Sequence, residues 1–229
     1  MKRALAEIAR RHKLSLVERP SSDAARFDLT FHGLRTHSIR IVARFAHANP
    51  RGTVSPRLAI IIDDLGNDLS SGRSVISLPF PLTVSVLPHL PFSTELADKA
   101  YGSGDQVLLH LPMQPKSPRI QAEQSELRIG MDARQVRSAL ANMLDTVPHV
   151  VGVNNHEGSR ATSDPALMEA LMPALRERGL FFIDSRTAPT TVAYDAAERA
   201  GIAAASRKVF LDDSPHPGAI REQLKIAAD

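Results

Sequence analysis

The chain has 229 residues, 43% of them hydrophobic and 23% charged, with a formal net charge of +3. That balance describes a soluble globular protein with one sizeable domain, or one domain and a small appendage, and its weak charge without a basic-aromatic pattern argues against nucleic acid as a partner. With no cysteine, disulfides and thiolate metal sites are excluded, so any metal must take nitrogen and oxygen ligands; no run of 18 apolar residues offers a membrane segment.

Residues 1–55 read as a small α+β element of their own. Ala4, Leu5, Ile8 and Ala9 recur at helical spacing, which predicts an amphipathic helix over residues 2–12. Residues 1–16 lack the apolar core of a signal peptide. Phe27, Leu29 and Phe31 alternate with Asp28 and Thr30, and residues 38–44 alternate again after His32-Gly33, so a hairpin with one wet face is expected. Residues 46–56 read as a linker. No chemistry is legible here, and His32, His37 and His47 fall at surface or turn positions.

From residue 56 to 229 the pattern changes to short apolar strands alternating with helices. Strands are expected at 58–62, 82–87, 106–110, 149–154, 180–184 and 207–211. Asp132 reads as the cap of a helix with Val136, Leu140 and Met143 on one face. Asp164-Pro165 opens another, which carries Leu167, Met168, Leu171 and Leu175 and stops at Gly179. A last helix has Ile220, Leu224 and Ala227 on one face. Such alternation predicts a mainly parallel sheet or barrel with right-handed crossovers.

The run Leu58–Gly66 is the most informative stretch. An apolar, isoleucine-rich strand leads into adjacent carboxylates, Asp63 and Asp64, at the end where α/β sheets and barrels place ligands. Adjacent carboxylates repel unless a cation or shared proton intervenes, although one of them capping a helix and the other in solvent would also serve. Other strand ends bring His110, then Asn154, Asn155 and His156, then Asp184, then Asp212 and Asp213 toward the same rim. An aspartate with two histidines is a common set for a catalytic divalent metal. His110 by itself also fits a hydrogen-bonded core histidine, Asp184 a loop cap, and Asp212 or Asp213 the cap of the last helix. His89 lies in a proline turn, His149 on the opposite rim and His216 in a loop.

Six ordered segments carry a family resemblance: IIDDLG (61–66), FPLTVSVLP (80–88), LLHLPM (108–113), GVNNHEGS (152–159), FFIDSRT (181–187) and RKVFLDD (207–213). Together they resemble the divergent polysaccharide deacetylases, a branch of the NodB-like carbohydrate esterases. The resemblance implies a distorted (β/α) barrel and a divalent metal, usually zinc, held by Asp and His. It implies hydrolysis of N-acetyl or related acyl groups on an amino-sugar polymer by a metal-activated water, with Asp63 as general base. Asp64 and His110 are then ligands. The related enzymes place a second His four residues after the first, where this chain has Gln114, so His156 is the expected partner. Asp184 would orient His156 or contact the sugar, and Asn155, Ser159 and Arg207 would bind substrate or orient the ligands. The chain reaches Asp229 without the family's final strand and its Gly-His-Pro segment, so the barrel is expected to be incomplete. A carbohydrate substrate in the envelope would imply a periplasmic or extracellular setting. The unusual histidine arrangement keeps a second expectation open, a weak or inactive member that binds glycan or an envelope partner. A phosphate or peptide hydrolase on the same scaffold is a third.

Overall fold

A computed structural model of the chain describes residues 9–19, 25–32, 34–41, 58–117 and 125–228. Contacts divide it into two compact units, Met1–Pro56 and Arg57–Asp229.

The first unit is a three-stranded antiparallel sheet of β1 (Ser15–Arg19), β2 (Ala25–Phe31) and β3 (Leu34–Ile41), in that order. The expected hairpin is β2–β3, with a register shift between Leu29 and Thr30. Strand β1 was not expected, because Ser-Leu-Val-Glu-Arg puts its two apolar residues side by side and shows no period of two. Residues 9–11 are helical. The rest of the expected helix before them, and the expected linker at 46–56, lie outside the described residues.

The second unit is an α/β fold. Its strands β4 (Ile61–Leu65), β5 (Thr83–Val86), β6 (Gln106–Met113), β7 (Val150–Glu157), β8 (Phe181–Asp184) and β9 (Ala204–Ser206) pair in chain order, all parallel. Helices α1 (Leu69–Ile76), α2 (Ser93–Ser103), α3 (Ala133–Leu144), α4 (Pro165–Glu177) and α5 (Ala193–Arg199) connect them, and α6 (Pro217–Ala228) follows. Because the order never reverses, right-handed crossovers leave every connecting helix on one face, as in the wall of a barrel. Among the described residues, no strand pairs with the outer edge of β4 or β9.

The apolar core fills that helical face. Val84, Val86, Leu109, Leu111, Val153 and Phe182 meet Leu96, Val136, Leu140, Leu167, Met168 and Leu171 in one buried cluster. Local chemistry sets the helix starts. Asp132 accepts from the Gln135 backbone N–H at 2.8 Å while the Gln135 side chain accepts from the Asp132 N–H at 2.9 Å, a reciprocal cap for α3. Asp164 accepts from the Leu167 N–H at 2.8 Å, and Pro165 begins α4 where no N–H is needed. Pro173 sits inside α4 without ending it.

Two expectations near the C-terminus change. The segment 207–211 is not a strand: β9 ends at Ser206, and no neighbouring strand waits for the apolar residues beyond it. Nor do Asp212 and Asp213 cap the last helix. It begins at Pro217, and the His216 ring Nδ1 accepts from the Gly218 N–H at 3.1 Å.

Candidate metal centre

Strands β6 and β7 each run eight residues, longer than expected, so His110 and His156 lie within them and cross-strand register places their side chains. His110 pairs with Asn154 and Pro112 with His156. Side chains alternate between faces, so His110, Asn154 and His156 share the face that the helices leave uncovered. Ser85 on β5, between core residues Val84 and Val86, points the same way.

Alternation alone would send Asp63 and Asp64 to opposite faces. A bulge prevents this: Ile62 pairs with Val84 and Leu65 with Val86, so β4 carries one extra residue across that interval. Asp64 takes φ 60°, the left-handed region that a non-glycine residue enters at a cost of about 1–2 kcal/mol. As a result both carboxylates face His110. Glu157 (φ 52°) and Arg186 (φ 49°), at the ends of β7 and β8, share this conformation, as do His89 (φ 60°) and His149 (φ 66°) away from the trio.

Three donor atoms from three strands meet here. His110 Nε2 lies 3.1 Å from Asp64 Oδ1, His156 Nδ1 lies 3.0 Å from the same oxygen, and the two ring nitrogens are 3.1 Å apart. Ligands about 2.0–2.2 Å from one tetrahedral ion stand roughly 3.3–3.6 Å from each other, so this triangle needs to open by only a few tenths of an ångström. His110 is buried, His156 partly buried, and the Asp64 side chain is 65% exposed, which leaves the outer side of the triangle open to water or substrate.

The protonation pattern fits the same use. Asp63 Oδ1 can only accept, so the Asn154 amide turns its Nδ2 toward that oxygen, at 2.9 Å. Its Oδ1 must then face His110 Nδ1, at 3.0 Å, which makes that nitrogen the donor. Nε2 donates to Asp64 when it carries a proton, and once that proton is lost it offers a lone pair in the same direction, as a cation would require. Metal-binding histidines are commonly held this way, by an acceptor on the far nitrogen. Hydrogen bonding from His110 first, then from His156, holds the Asp64 carboxyl well below the usual carboxylate range, in the ionised form a cation requires.

The other expected residues divide. Asp63 is partly buried and lies 3.9 Å from His110 Nδ1, beside the triangle. Asp184 sits on the helical side of β8: its carboxylate accepts from the Arg186 N–H at 2.8 Å and the Thr191 hydroxyl at 2.9 Å, and it contacts none of the three donors. Asn155, next to Asn154 and so on the opposite face, accepts from the Ser185 N–H at 2.8 Å and donates to the Glu157 carbonyl at 2.9 Å. Ser159 accepts from the Lys116 N–H at 2.9 Å. Arg207 donates to the carbonyls of Ser185 and Arg186 and lies over the Phe210 ring. Burial lowers its pKa first, opposed by the charge of Asp213. His89 and His149 stay apart from the trio: His149 bonds Asp98 at 2.8 Å and stacks on Tyr101. Sequence reasoning missed Ser85 and placed Asn154 at the rim without a role; both are buried at the centre of the polar face. A serine inside an apolar strand, and an asparagine two residues before His156, were the available signals.

This arrangement has a family behind it. The profile of the divergent polysaccharide deacetylases matches residues 60–229, and the chain belongs to that family. It is 38% identical over 195 residues to the uncharacterized protein YibQ of Escherichia coli, covering 85% of this chain and 60% of that protein. With an uncharacterized protein of Haemophilus influenzae it shares 39% identity over 171 residues, covering 75% and 61%. The chain thus spans about three fifths of the length of these relatives. The crystal structure of the uncharacterized protein ATU2773 from Agrobacterium tumefaciens has the same fold, with a TM-score of 0.70 at 22% identity over 77% of this chain and 76% of that one.

Proposed function

We propose that this chain is a metal-dependent hydrolase that removes N-acetyl or related acyl groups from an amino-sugar polymer. Asp64, His110 and His156 hold the ion, with zinc the first choice for one carboxylate and two imidazoles. The observation that carries this reading is the triangle of donor atoms with edges of 3.0–3.1 Å, opening outward in a chain of the deacetylase family. A divalent cation bound there supplies Lewis acidity toward an acyl carbonyl and lowers the pKa of water toward neutrality. Asp63 is the base. Asn154 holds one of its oxygens, and the other takes a proton from the attacking water. His110 and His156 orient the reacting face, with His110 fixed from behind by Asn154. Asp184, Asn155, Ser159 and Arg207 hold the loops that frame the rim.

One observation favours a second reading, in which the chain binds glycan without turning it over. Gln114, four residues after His110, is occupied structurally: its side chain accepts from the Ile129 N–H, and its carbonyl from those of Arg160 and Ala161. Metal analysis joined to acetate release from chitooligosaccharides and peptidoglycan fragments separates the readings. The hydrolase reading expects a bound ion and released acetate, both lost in Asp64→Ala and His156→Ala. Full metal occupancy in both variants would overturn the ligand set, and glycan binding with no acetate release would select the second reading.

A further inference from the structure

Asn154 stands behind the ligands with every polar atom of its side chain engaged. It is 2% exposed, and its one amide reaches four side chains. Nδ2 donates to Asp63 Oδ1 at 2.9 Å and, at a longer 3.4 Å, to Ser185 Oγ. Oδ1 accepts from His110 Nδ1 at 3.0 Å and from the Ser85 hydroxyl. The group's full capacity of two donors and two acceptors is therefore used, which leaves the amide one orientation.

We infer that Asn154 is the positioning residue of this site, a single buried amide that locks the His110 tautomer and tethers Asp63 through its opposite end. The metal and base roles it serves rest on the hydrolase reading; the lock itself does not. The Asp63 carboxylate sets the orientation of the amide and the Ser85 and Ser185 hydroxyls adapt to it; a flip would set the Asn154 oxygen against the Asp63 carboxylate and the Asn154 N–H against a ring nitrogen that must then lose its proton. Asp63 and His110 Nδ1 are only 3.9 Å apart. Without the amide, the carboxylate would be free to pair with the ring directly and leave its place beside the reacting face. One residue thus separates the base from the ligand while orienting both. Residues that hold a metal-bound histidine from behind commonly change affinity by about 10–100-fold when removed.

Two variants separate the two ends of the amide. Asn154→Leu keeps the approximate size and removes both functions. Asn154→Asp still accepts from His110 Nδ1 but cannot donate to Asp63, and its charge repels that carboxylate. Nitrogen-15 NMR of the His110 ring, zinc titration by calorimetry and acetate release are measured on each, with thermal unfolding as the check on folding. In the unsubstituted chain neutral His110 carries its proton on Nδ1. Asn154→Leu should show mixed tautomers and a zinc affinity about 10–100-fold lower. Asn154→Asp should keep the tautomer and the affinity, yet lose about 100-fold in acetate release, the scale of a displaced general base. A folded Asn154→Leu with the original tautomer and affinity would overturn the inference, reducing Asn154 to a filler between Ser85 and Ser185. Full turnover in Asn154→Asp would overturn it as well. If the unsubstituted chain bound no zinc, the hydrolase reading would fall while the tautomer measurement still decided this one.

Discussion

Along β7 two chemistries stand one residue apart. Val153 lies in the apolar cluster under the helices, whereas Asn154 and His156 face the uncovered side and meet His110, Asp63 and Asp64. The same division runs through β5, where Ser85 sits between Val84 and Val86, and through β6, where His110 sits between Leu109 and Leu111. One face holds the fold together and the other assembles donors. A parallel sheet buried on both sides reads as continuous apolar sequence, so polar residues at every second position mark a sheet whose second face serves another purpose. Neither face stands alone: rigid strands, packed from behind, set donor atoms on three strands about 3 Å apart.

Breaking each face in turn should give different failures. His110→Ala removes one of the proposed ligands, and zinc affinity should fall by well over about 100-fold, beyond the range found for residues behind the ligands. Its unfolding midpoint should move far less than that of a core variant; calorimetric titration and urea unfolding check the pair of statements. Leu171→Ala strikes the opposite face, at a fully buried position in α4. It should cost about 2–5 kcal/mol of stability, while the variant that remains folded binds zinc as before. A large loss of affinity in folded Leu171→Ala would show that the two faces are coupled more tightly than alternation implies.

Much of this division was legible beforehand. Strand–helix alternation points to the α/β fold, the caps at Asp132 and Asp164 are readable, and the strand ends with the family resemblance bring Asp64, His110 and His156 together as a set, which the structure groups within reach of one ion. The bulge was not legible, because Ile-Asp-Asp-Leu carries no sign that two neighbours share a face; that depends on the register against β5. Asn154 was hidden by its neighbour Asn155, since two adjacent amides look alike until the strand's parity assigns one to the site and the other to the loop. The segment 207–211 misled because its apolar run Val209-Phe210-Leu211 reports only readiness to pair, while a strand also needs a partner edge. Asp184 ended a strand as a site residue would, but its parity put it under the loop.

Helix caps give a smaller test of the apolar face. Asp164→Ala removes the acceptor for the Leu167 N–H at the start of α4, and should lower stability by about 1 kcal/mol without changing metal affinity. Urea unfolding of this variant beside Leu171→Ala ranks local capping against core packing in the same helix. An effect as large as that of Leu171→Ala would mean that the cap fixes the register of α4 against the sheet, beyond satisfying one N–H.

The smallest effect should be a gain. Arg186 adopts φ 49° with its side chain exposed, and the loop uses its backbone: its N–H donates to Asp184 and its carbonyl accepts from Arg207. Arg186→Gly keeps both groups, relieves about 1–2 kcal/mol of left-handed strain and gives back about 0.5–1 kcal/mol through a freer unfolded chain. The Arg186 charge also opposes that of Arg207, so its removal acts in the same direction. A net stabilisation of about 0.5–1 kcal/mol by urea unfolding, with unaltered zinc affinity, would place the strain at this rim position outside the metal site. A loss of zinc affinity would instead tie the loop beside β8 to the trio, and the strained turns at Asp64 and Arg186 would have to be treated as one device.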